Sequence, residues 1–527
     1  MDSSITFQPA MKEKQIAIIG AGISGLLACK HTLEKGFNPI VFEAGDCIGG
    51  VWSRTVESTK LQCPKDHFQF SDFPWPNSVV DMFPDYNQVM GYLQSYALHF
   101  NIIPQIKFNS KVISIDYILS SADEKMYRCW SMWGGTGEAF SPKGKWNVTV
   151  EDSMHPMDPY KVYQVDFVIL CIGLFSGLPN IPDIPISKGV AGFKGLVLHS
   201  MDYAAMDKIE AAKLVEGKRV TVVGSRKSAL DIATQIAKTN GATYPCTLLF
   251  RRVQWPGTEM LVRFIFRNLT RFSELMIHKP DEGLVICFLA LVLSPLRRIF
   301  SKLVECYLKW IYPLKKYDMV PDHTFLSQIY SCMFTMLPES FYDRVNERSL
   351  VLKKSPTLCF CENGFILENE SDPLETDIVI LGTGYKGDEK LLNIFSSTEF
   401  KKFIRGTLAP YYRECIHPRI PQLAIVGYSE SPATIFSFEM RSKWIAHFLD
   451  GKFRLPSIQK MEENVNKWEK NGRRYAGNNY RRECAGVLLP IHCNDEISMD
   501  IGANPKRKKW FFPEFFSPYH PFDYAGL

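Results

Sequence analysis

The sequence predicts an α/β protein made of two Rossmann-like dinucleotide-binding domains, with a helical insert in the second. Three observations predict it. Two glycine-rich turns, Gly20-Ala-Gly22-Ile-Ser-Gly25 and Gly224-Ser-Arg226-Lys-Ser-Ala229, each follow a short apolar run and open a helical pattern. The stretch between them carries Phe193-x-Gly195-x-x-x-His199-x-x-x-Tyr203. Residues 255–348 read as largely helical and hold no further nucleotide signature. The expected boundaries are 14–190 for the first domain, 191–370 for the second with its insert, and 371–527 for the return to the first domain and the tail.

In the first unit, Gln15–Ile19 reads as a buried strand, Ser24–Glu34 as a helix ended by Gly36, and Pro39–Glu43 as the next strand. Gly20, Gly22 and Gly25 have separate tasks: a tight turn, close approach of a pyrophosphate, and packing of helix on strand. The phosphates then sit at the positive end of a helix. Glu43 follows Gly20 by 23 residues, about the spacing at which an acid reaches ribose hydroxyls. Gly49-Gly50-Val-Trp52 is a second backbone-exposing turn, on the path of an extended FAD toward its ring system.

The second unit starts with the strand Lys218–Val223, continues through a helix from about Ser228, and reaches the strand Thr247–Phe250, which ends in Arg251-Arg252. An acid at this strand end selects unphosphorylated ribose, whereas arginine offers a bidentate partner for a 2′-phosphate. The first site is therefore expected to hold FAD and the second NADPH. Arg226 stands where the motif has its second glycine, so either the cofactor lies farther out with the guanidinium on a phosphate, or the site is degenerate. Lys227 and Arg251 keep the region positive. The strand Phe167–Ile172, ended by Gly173, is read as leaving the first unit, and Asp377–Leu381 with Gly382-Thr-Gly384-Tyr385 as returning to it. Arg413–Gly427 and a helix over Phe438–Leu449 complete the C-terminal part.

The formal charge is +5 over 527 residues, with 46% hydrophobic and 22% charged residues. That balance gives no argument for nucleic acid as a partner and supplies side chains for large cores. The 14 cysteines hold no CxxC pair; Cys359 and Cys361 share one strand face. No metal site is expected from that spacing, and the thiols are expected reduced in the cytoplasm. Met1–Thr6 has no basic region leading into an apolar core, so no signal peptide is expected. The longest apolar run, Leu284–Leu293, is ten residues, about half a bilayer span. Between Gly283 and Tyr312, broken at Ser294-Pro295, a helix pair touching a membrane face and a buried core helix are equally good readings. The tail segment Lys506–Phe512 would also suit an anionic surface.

Taken together, these motifs resemble the flavin-containing monooxygenases, the class B flavoprotein monooxygenases, over residues 14 to about 450. The linker around His199 is similar to the family's identifying motif, and Gly382-Thr-Gly384-Tyr385 to its later glycine motif. Thr59–Gln62, Phe70–Pro76 and Leu198–Tyr203 resemble the plant branch, which includes N-hydroxylases of pipecolic acid tied to systemic immunity, with sulfur-oxidising and auxin-forming relatives. The resemblance implies that Gly20, Gly22, Gly25, Glu43, Gly50 and Trp52 bind FAD. It implies that Gly224, Ser225 and Arg251 bind NADP, with His199 and Gly384 close by, and the positive charge of Lys227 is expected to help hold NADP. Gln62 stands where many members have an asparagine that positions NADP and the oxygenated flavin, and it is the expected catalytic residue.

The cycle implied by the resemblance runs from NADPH to FAD to O2, through a C4a-hydroperoxyflavin whose distal oxygen a nucleophile attacks. The expected substrate is a small amine or amino acid, pipecolate-like, oxygenated on nitrogen. Arg413, Arg419, Arg441 and Lys443 are candidate anchors for its carboxylate. Thioether S-oxygenation, Baeyer–Villiger chemistry and an NADPH-dependent peroxide-producing signalling protein stand as alternatives. The expected location is the cytoplasm, at the periphery of the endoplasmic reticulum membrane.

Overall fold

The computed structural model describes residues 12–119, 130–141, 144–187, 192–368, 370–405, 411–432 and 434–527. The reading of Met1–Thr6 lies outside the described residues. From the N-terminal side, β1 (Ile16–Ile19), a helix (Ile23–Glu34), β2 (Ile40–Phe42) and β3 (Ile106–Lys107) begin one parallel sheet. An antiparallel excursion follows, β4 (Ser110–Ile118), β5 (Lys145–Asp152) and β6 (Lys161–Val165), before β7 (Phe167–Leu170) rejoins the sheet. The second sheet takes β8 (Leu196–His199), β9 (Val220–Val223) and, after the helix Lys227–Asn240, β10 (Cys246–Phe250).

The insert then carries a two-stranded bridge of β11 (Pro256–Gly257) and β12 (Thr335–Met336). After it come β13 (Leu350–Lys354), an antiparallel set β14 (Leu358–Cys361), β15 (Gly364–Leu367) and β16 (Leu374–Glu375), and β17 (Ile378–Leu381). Last is β18 (Leu423–Ile425). The two parallel sheets run β18-β7-β1-β2-β3 and β13-β10-β9-β17-β8. Helices cover parallel sheets on both faces, which is why β1, β7 and β17 are unbroken apolar runs buried at every position.

Three expectations are corrected. β17 pairs in parallel with both β8 and β9, so it belongs to the second sheet. The chain re-enters the first unit only beyond Gly384, where Leu391 and Ile394 of the helix Gly387–Ile394 join the core around β7 and β18. The boundary at 371 is therefore too early; an apolar run ending in glycine suits either sheet, and the pattern carries no address.

The apolar stretch near 284 is neither a helix pair nor a core helix. It is one helix, Leu284–Ile311, of 28 residues with Pro295 inside. Pro295 has no N–H for the Leu291 carbonyl, and the Ser294 hydroxyl donates to that oxygen at 3.0 Å instead. Finally, not all thiols are free: Cys332 of the insert and Cys484 of the C-terminal part form a disulfide.

Candidate active site

The helix Ile23–Glu34 starts behind Gly22 with no side-chain cap, which leaves its first N–H groups for an anion. Gly20 has φ +103°, and a Cβ on it would lie 2.5 Å from the Cys171 carbonyl oxygen; one on Gly25 would lie 1.9 Å from that of Gly20. Gly22 and Gly50 face each other so closely that a Cβ on Gly50 would sit 3.0 Å from the Gly22 Cα. The two turns thus form a single cradle walled by backbone. Glu43 is fixed beside it: Oε2 accepts the Ala21 N–H at 2.7 Å and Oε1 the Gly45 N–H at 2.9 Å. Each oxygen keeps a lone pair for a ribose hydroxyl. Trp52 stands edge-on to Phe68, with ring centres 5.9 Å apart.

At the second turn the helix Lys227–Asn240 also begins without a side-chain cap, behind Arg226. Arg226 has extended backbone (φ −102°), so the turn accommodates a side chain there; burial lowers the pKa of its guanidinium, whose charged neighbours are Arg481, Glu430 and Glu483. Arg251 is exposed just past β10 and has no ion-pair partner among the described residues. Ser225 and Arg252 line a cleft of about 430 Å³ that runs between Leu230, Phe250 and Trp255. Gly224 lies against the Gly382 carbonyl, so the second nucleotide turn and the later glycine motif touch.

Two expected cofactor contacts are used differently. Lys227 Nζ sits on Asp231 Oδ1 at 2.7 Å, one turn along its own helix, and the buried Asp231 takes the Thr59 hydroxyl at 2.7 Å on its other oxygen. That pair occupies the ammonium and ties the second unit to the loop before Gln62. His199 accepts the Met201 N–H on Nδ1 at 3.1 Å, so Nε2 carries the proton and donates to the Gly384 carbonyl at 3.0 Å. Nδ1 caps the linker's own helix and Nε2 holds it on the glycine motif, and burial keeps the imidazole pKa below its usual value. His199 is thus a positioning residue, and Gly384 (φ +85°) is the acceptor it holds.

Gln62 lies where the two units and the insert meet. Its Oε1 accepts the backbone N–H of Met336 in β12 at 3.0 Å. The candidate anchors for a substrate carboxylate are all matched to acids. Arg413 holds Asp500 at 2.7 and 3.1 Å, Arg419 holds Glu462 at 2.7 Å, and Arg441 pairs with Glu414. Lys443 reaches the Ser71 hydroxyl at 3.0 Å and the Tyr524 carbonyl at 2.9 Å, with Glu439 at 3.3 Å. Arg413 and Arg441 border a cleft of about 640 Å³ with Tyr411, Tyr428, Trp468 and Arg482. Arg413 and Glu414 are consecutive left-handed residues (φ 54° and 58°), a strained turn at the cleft wall.

Sequence reasoning missed Lys390. Its Nζ donates to the Ser176 carbonyl and hydroxyl at 3.1 and 3.0 Å, where the chain leaves β7. Burial brings its pKa down to about 8, against the pull of nearby Glu43. A lone lysine on a short helix is too common a pattern to single it out. Met336 was equally invisible, because it acts through its backbone.

Known proteins share this architecture. The chain is 37% identical to "Probable flavin-containing monooxygenase 1" of Arabidopsis thaliana over 98% of its own length and 96% of the relative's. The solved structure of OTEMO in complex with FAD and NADP matches with a TM-score of 0.65 at 16% identity, over 94% of this chain and 99% of that one. S-allyl-L-cysteine S-oxygenase from Allium sativum matches with a TM-score of 0.55 at 16% identity, over 93% and 89%. These two share the fold. With a family model matched across residues 13–524, the chain belongs to the flavin-binding monooxygenase-like family.

Proposed function

We propose that this chain is an NADPH- and FAD-dependent monooxygenase that places one oxygen atom of O2 on a nucleophilic nitrogen of a small amine or amino acid. The observation that carries the reading is the contrast between its two nucleotide turns, each at the carboxyl end of a parallel sheet. Glu43 closes the first and Arg251 the second. The Gly22–Gly50 cradle has room for a pyrophosphate only because it lacks side chains, which fits FAD. The unpaired Arg251 beside the cleft of Ser225 and Arg252 fits the 2′-phosphate of NADPH.

Bound flavin supplies the redox and oxygen-transfer chemistry. The residues of this chain bind, orient and shield. Gln62 is the residue assigned to the reacting centre: with Oε1 held by Met336, its Nε2 donors are left for the cofactors. Lys390 adds a cation beside Glu43, and His199 sets the Gly384 turn on which the nicotinamide half is seated.

The larger cleft is taken as the substrate region, and the choice of nitrogen over sulfur rests on the resemblance to the plant branch. Its aromatic wall of Tyr411, Tyr428 and Trp468 suits the apolar part of a small amine, while Glu414, Glu469, Glu483 and Glu496 are paired with Arg441, Arg473, Arg481 and Arg413. A substrate carboxylate would have to displace one of the acids now holding the arginines, so simple amines should outrank pipecolate. The test measures oxygenated product and peroxide against NADPH consumed for amines, pipecolate, thioethers and ketones. N-oxygenated product in step with NADPH supports the reading. Product from thioethers alone moves it to S-oxygenation, and esters from ketones to Baeyer–Villiger chemistry. Peroxide equal to NADPH with every compound makes the chain a peroxide-producing signalling protein.

For location, the proposal is the cytoplasm with the helix Leu284–Ile311 resting in the endoplasmic reticulum membrane. That helix is long and apolar enough to cross a bilayer by length and composition, and its apolar side chains, such as Leu284 at 92% exposure, face outward. Trp510, Phe511 and Phe512 form a second exposed apolar group beside Lys508 and Lys509.

A further inference from the structure

Three clusters of side chains with metal-binding atoms occur among the described residues: Asp66–His67–His520, His278–Glu282–Cys287 and Cys332–Glu430–Cys484. The second is satisfied internally, since His278 Nδ1 bonds Glu282 at 2.5 Å and Glu282 also accepts the Lys279 N–H. The third has given its thiols to the disulfide. The first is different. His67 is 4% exposed, and neither of its ring nitrogens has a hydrogen-bond partner; the buried Asp66 Oδ1 has none either. A buried polar atom without a partner costs about 1–3 kcal/mol, so three in one place ask for an occupant.

The segments carrying these groups are held independently of any occupant. His67 and Phe68 donate their N–H groups to the Pro64 carbonyl at 2.9 and 3.1 Å, and Trp75 Nε1 donates to Lys65 and Phe68 carbonyls at 2.9 and 2.8 Å. In the tail, the Tyr519 N–H donates to the Leu269 carbonyl at 3.0 Å and the His520 N–H to Asp523 Oδ2 at 2.8 Å. The two imidazoles stand with ring centres 4.4 Å apart, and Phe266 closes the far side of His67 at 4.8 Å. One donor atom from each of Asp66, His67 and His520 lies within 4.8 Å of the others. Zinc bonds of about 2.0–2.2 Å in tetrahedral geometry set donors roughly 3.4 Å apart, so closing the site takes small ring rotations. The His520 side chain accepts the Asp523 N–H, and that N–H keeps the His520 carbonyl at 3.0 Å as a partner when the ring turns.

We propose that Asp66, His67 and His520 form a site for a single zinc ion, with a fourth position open to water, that pins the C-terminal tail to the loop carrying Gln62. Two neutral imidazoles and one carboxylate are a donor set that zinc accepts with three protein ligands. The same set with six-coordinate geometry would suit ferrous iron, and the enclosure by Phe266 and the buried loop favours the smaller coordination number. The ion would act at a distance from the reacting atoms, as a staple that fixes the backbone five residues beyond Gln62.

The test uses the full-length, FAD-loaded protein, stripped with a chelator and titrated separately with zinc, ferrous and magnesium salts. Metal content is read by mass spectrometry after gel filtration. One zinc per chain is expected, with Asp66→Asn and His520→Gln each weakening its retention at least about tenfold while flavin content is unchanged. X-ray absorption of the zinc-loaded wild type should show nitrogen and oxygen neighbours only. Retention of less than about a tenth of an equivalent, equal retention by the variants, sulfur neighbours, or a preference for iron or magnesium would each overturn the assignment. The absorption measurement needs no variant, so a folding defect in one of them does not blunt the test. None of these readouts depends on monooxygenase turnover.

Discussion

Arg251 and Glu43 occupy equivalent strand ends with opposite charge, and the proposed contact with the 2′-phosphate of NADPH is the arginine's. Arg251→Ala removes a charge-assisted contact worth about 2–3 kcal/mol. The KM for NADPH should rise roughly 30- to 160-fold, while that for NADH, which has no 2′-phosphate, should move less than about twofold. Steady-state assays with both nucleotides check it; equal losses would mean the arginine is structural. Glu439 makes a different residue-scale argument. Burial alone would raise its pKa, yet Lys443, His31 and Ser71 together bring it down to about 2 from 4.5. A depressed carboxylate stabilises the fold above its unfolded pKa, and that stability drains as pH falls from about 4.5 toward 2. Glu439→Gln should cost about 3 kcal/mol at neutral pH, and the difference from wild type in chemical denaturation should shrink as the pH is lowered through that window.

Elements were legible where local chemistry decides them. The turn at Gly20 announces itself because strand, glycines, helix and Glu43 all lie within one short stretch, and the structure has each in its place. β17 was legible as a strand but not as a member of the second sheet, since its partners β8 and β9 lie far back in the chain. The excursion β4–β6 was not foreseen, because its half-buried residues carry no glycine signal. The continuity of the helix Leu284–Ile311 was not legible because Pro295 costs an interior helix about 3 kcal/mol when nothing takes up the freed carbonyl. Ser294 takes it up. If that helix rests in a membrane, its outward side chains bear the attachment, and charges placed there should abolish it. Phe288→Glu with Leu291→Glu should lower flotation with anionic-lipid vesicles by at least about tenfold and leave turnover of a soluble substrate within about twofold. Unchanged flotation would assign that face to a protein partner or move the attachment to Trp510–Phe512.

At the scale of the molecule, function depends on how the two sheets are set against each other, and this is what sequence reading could least reach. The cofactor turns are local, but the contacts that register one unit on the other are not: Gln62 with Met336, Thr59 with Asp231, and the Cys332–Cys484 disulfide. No spacing rule links such pairs, and one partner is often a backbone atom. Val56 shows how intimate the junction is, since this residue of the first unit's loop is buried in the core of the second. Thr59 and Gln62 lie on that same loop, so under the proposed function the loop assigned to the reacting centre is held by the unit assigned to NADPH. Thr59→Val keeps the shape of the side chain, leaves the Lys227–Asp231 pair intact and removes one bond across the junction. It strands one oxygen of the buried Asp231, at a cost of about 1–2 kcal/mol. NADPH should bind the variant within about twofold of wild type, because Arg251 is untouched, but flavin reduction should slow by roughly tenfold, because hydride transfer is sensitive to displacements of an ångström. Anaerobic stopped-flow reduction over a range of NADPH concentrations separates the two. A higher dissociation constant with an unchanged limiting rate would show that the loop serves nucleotide binding, and that the register of the two sheets is set elsewhere.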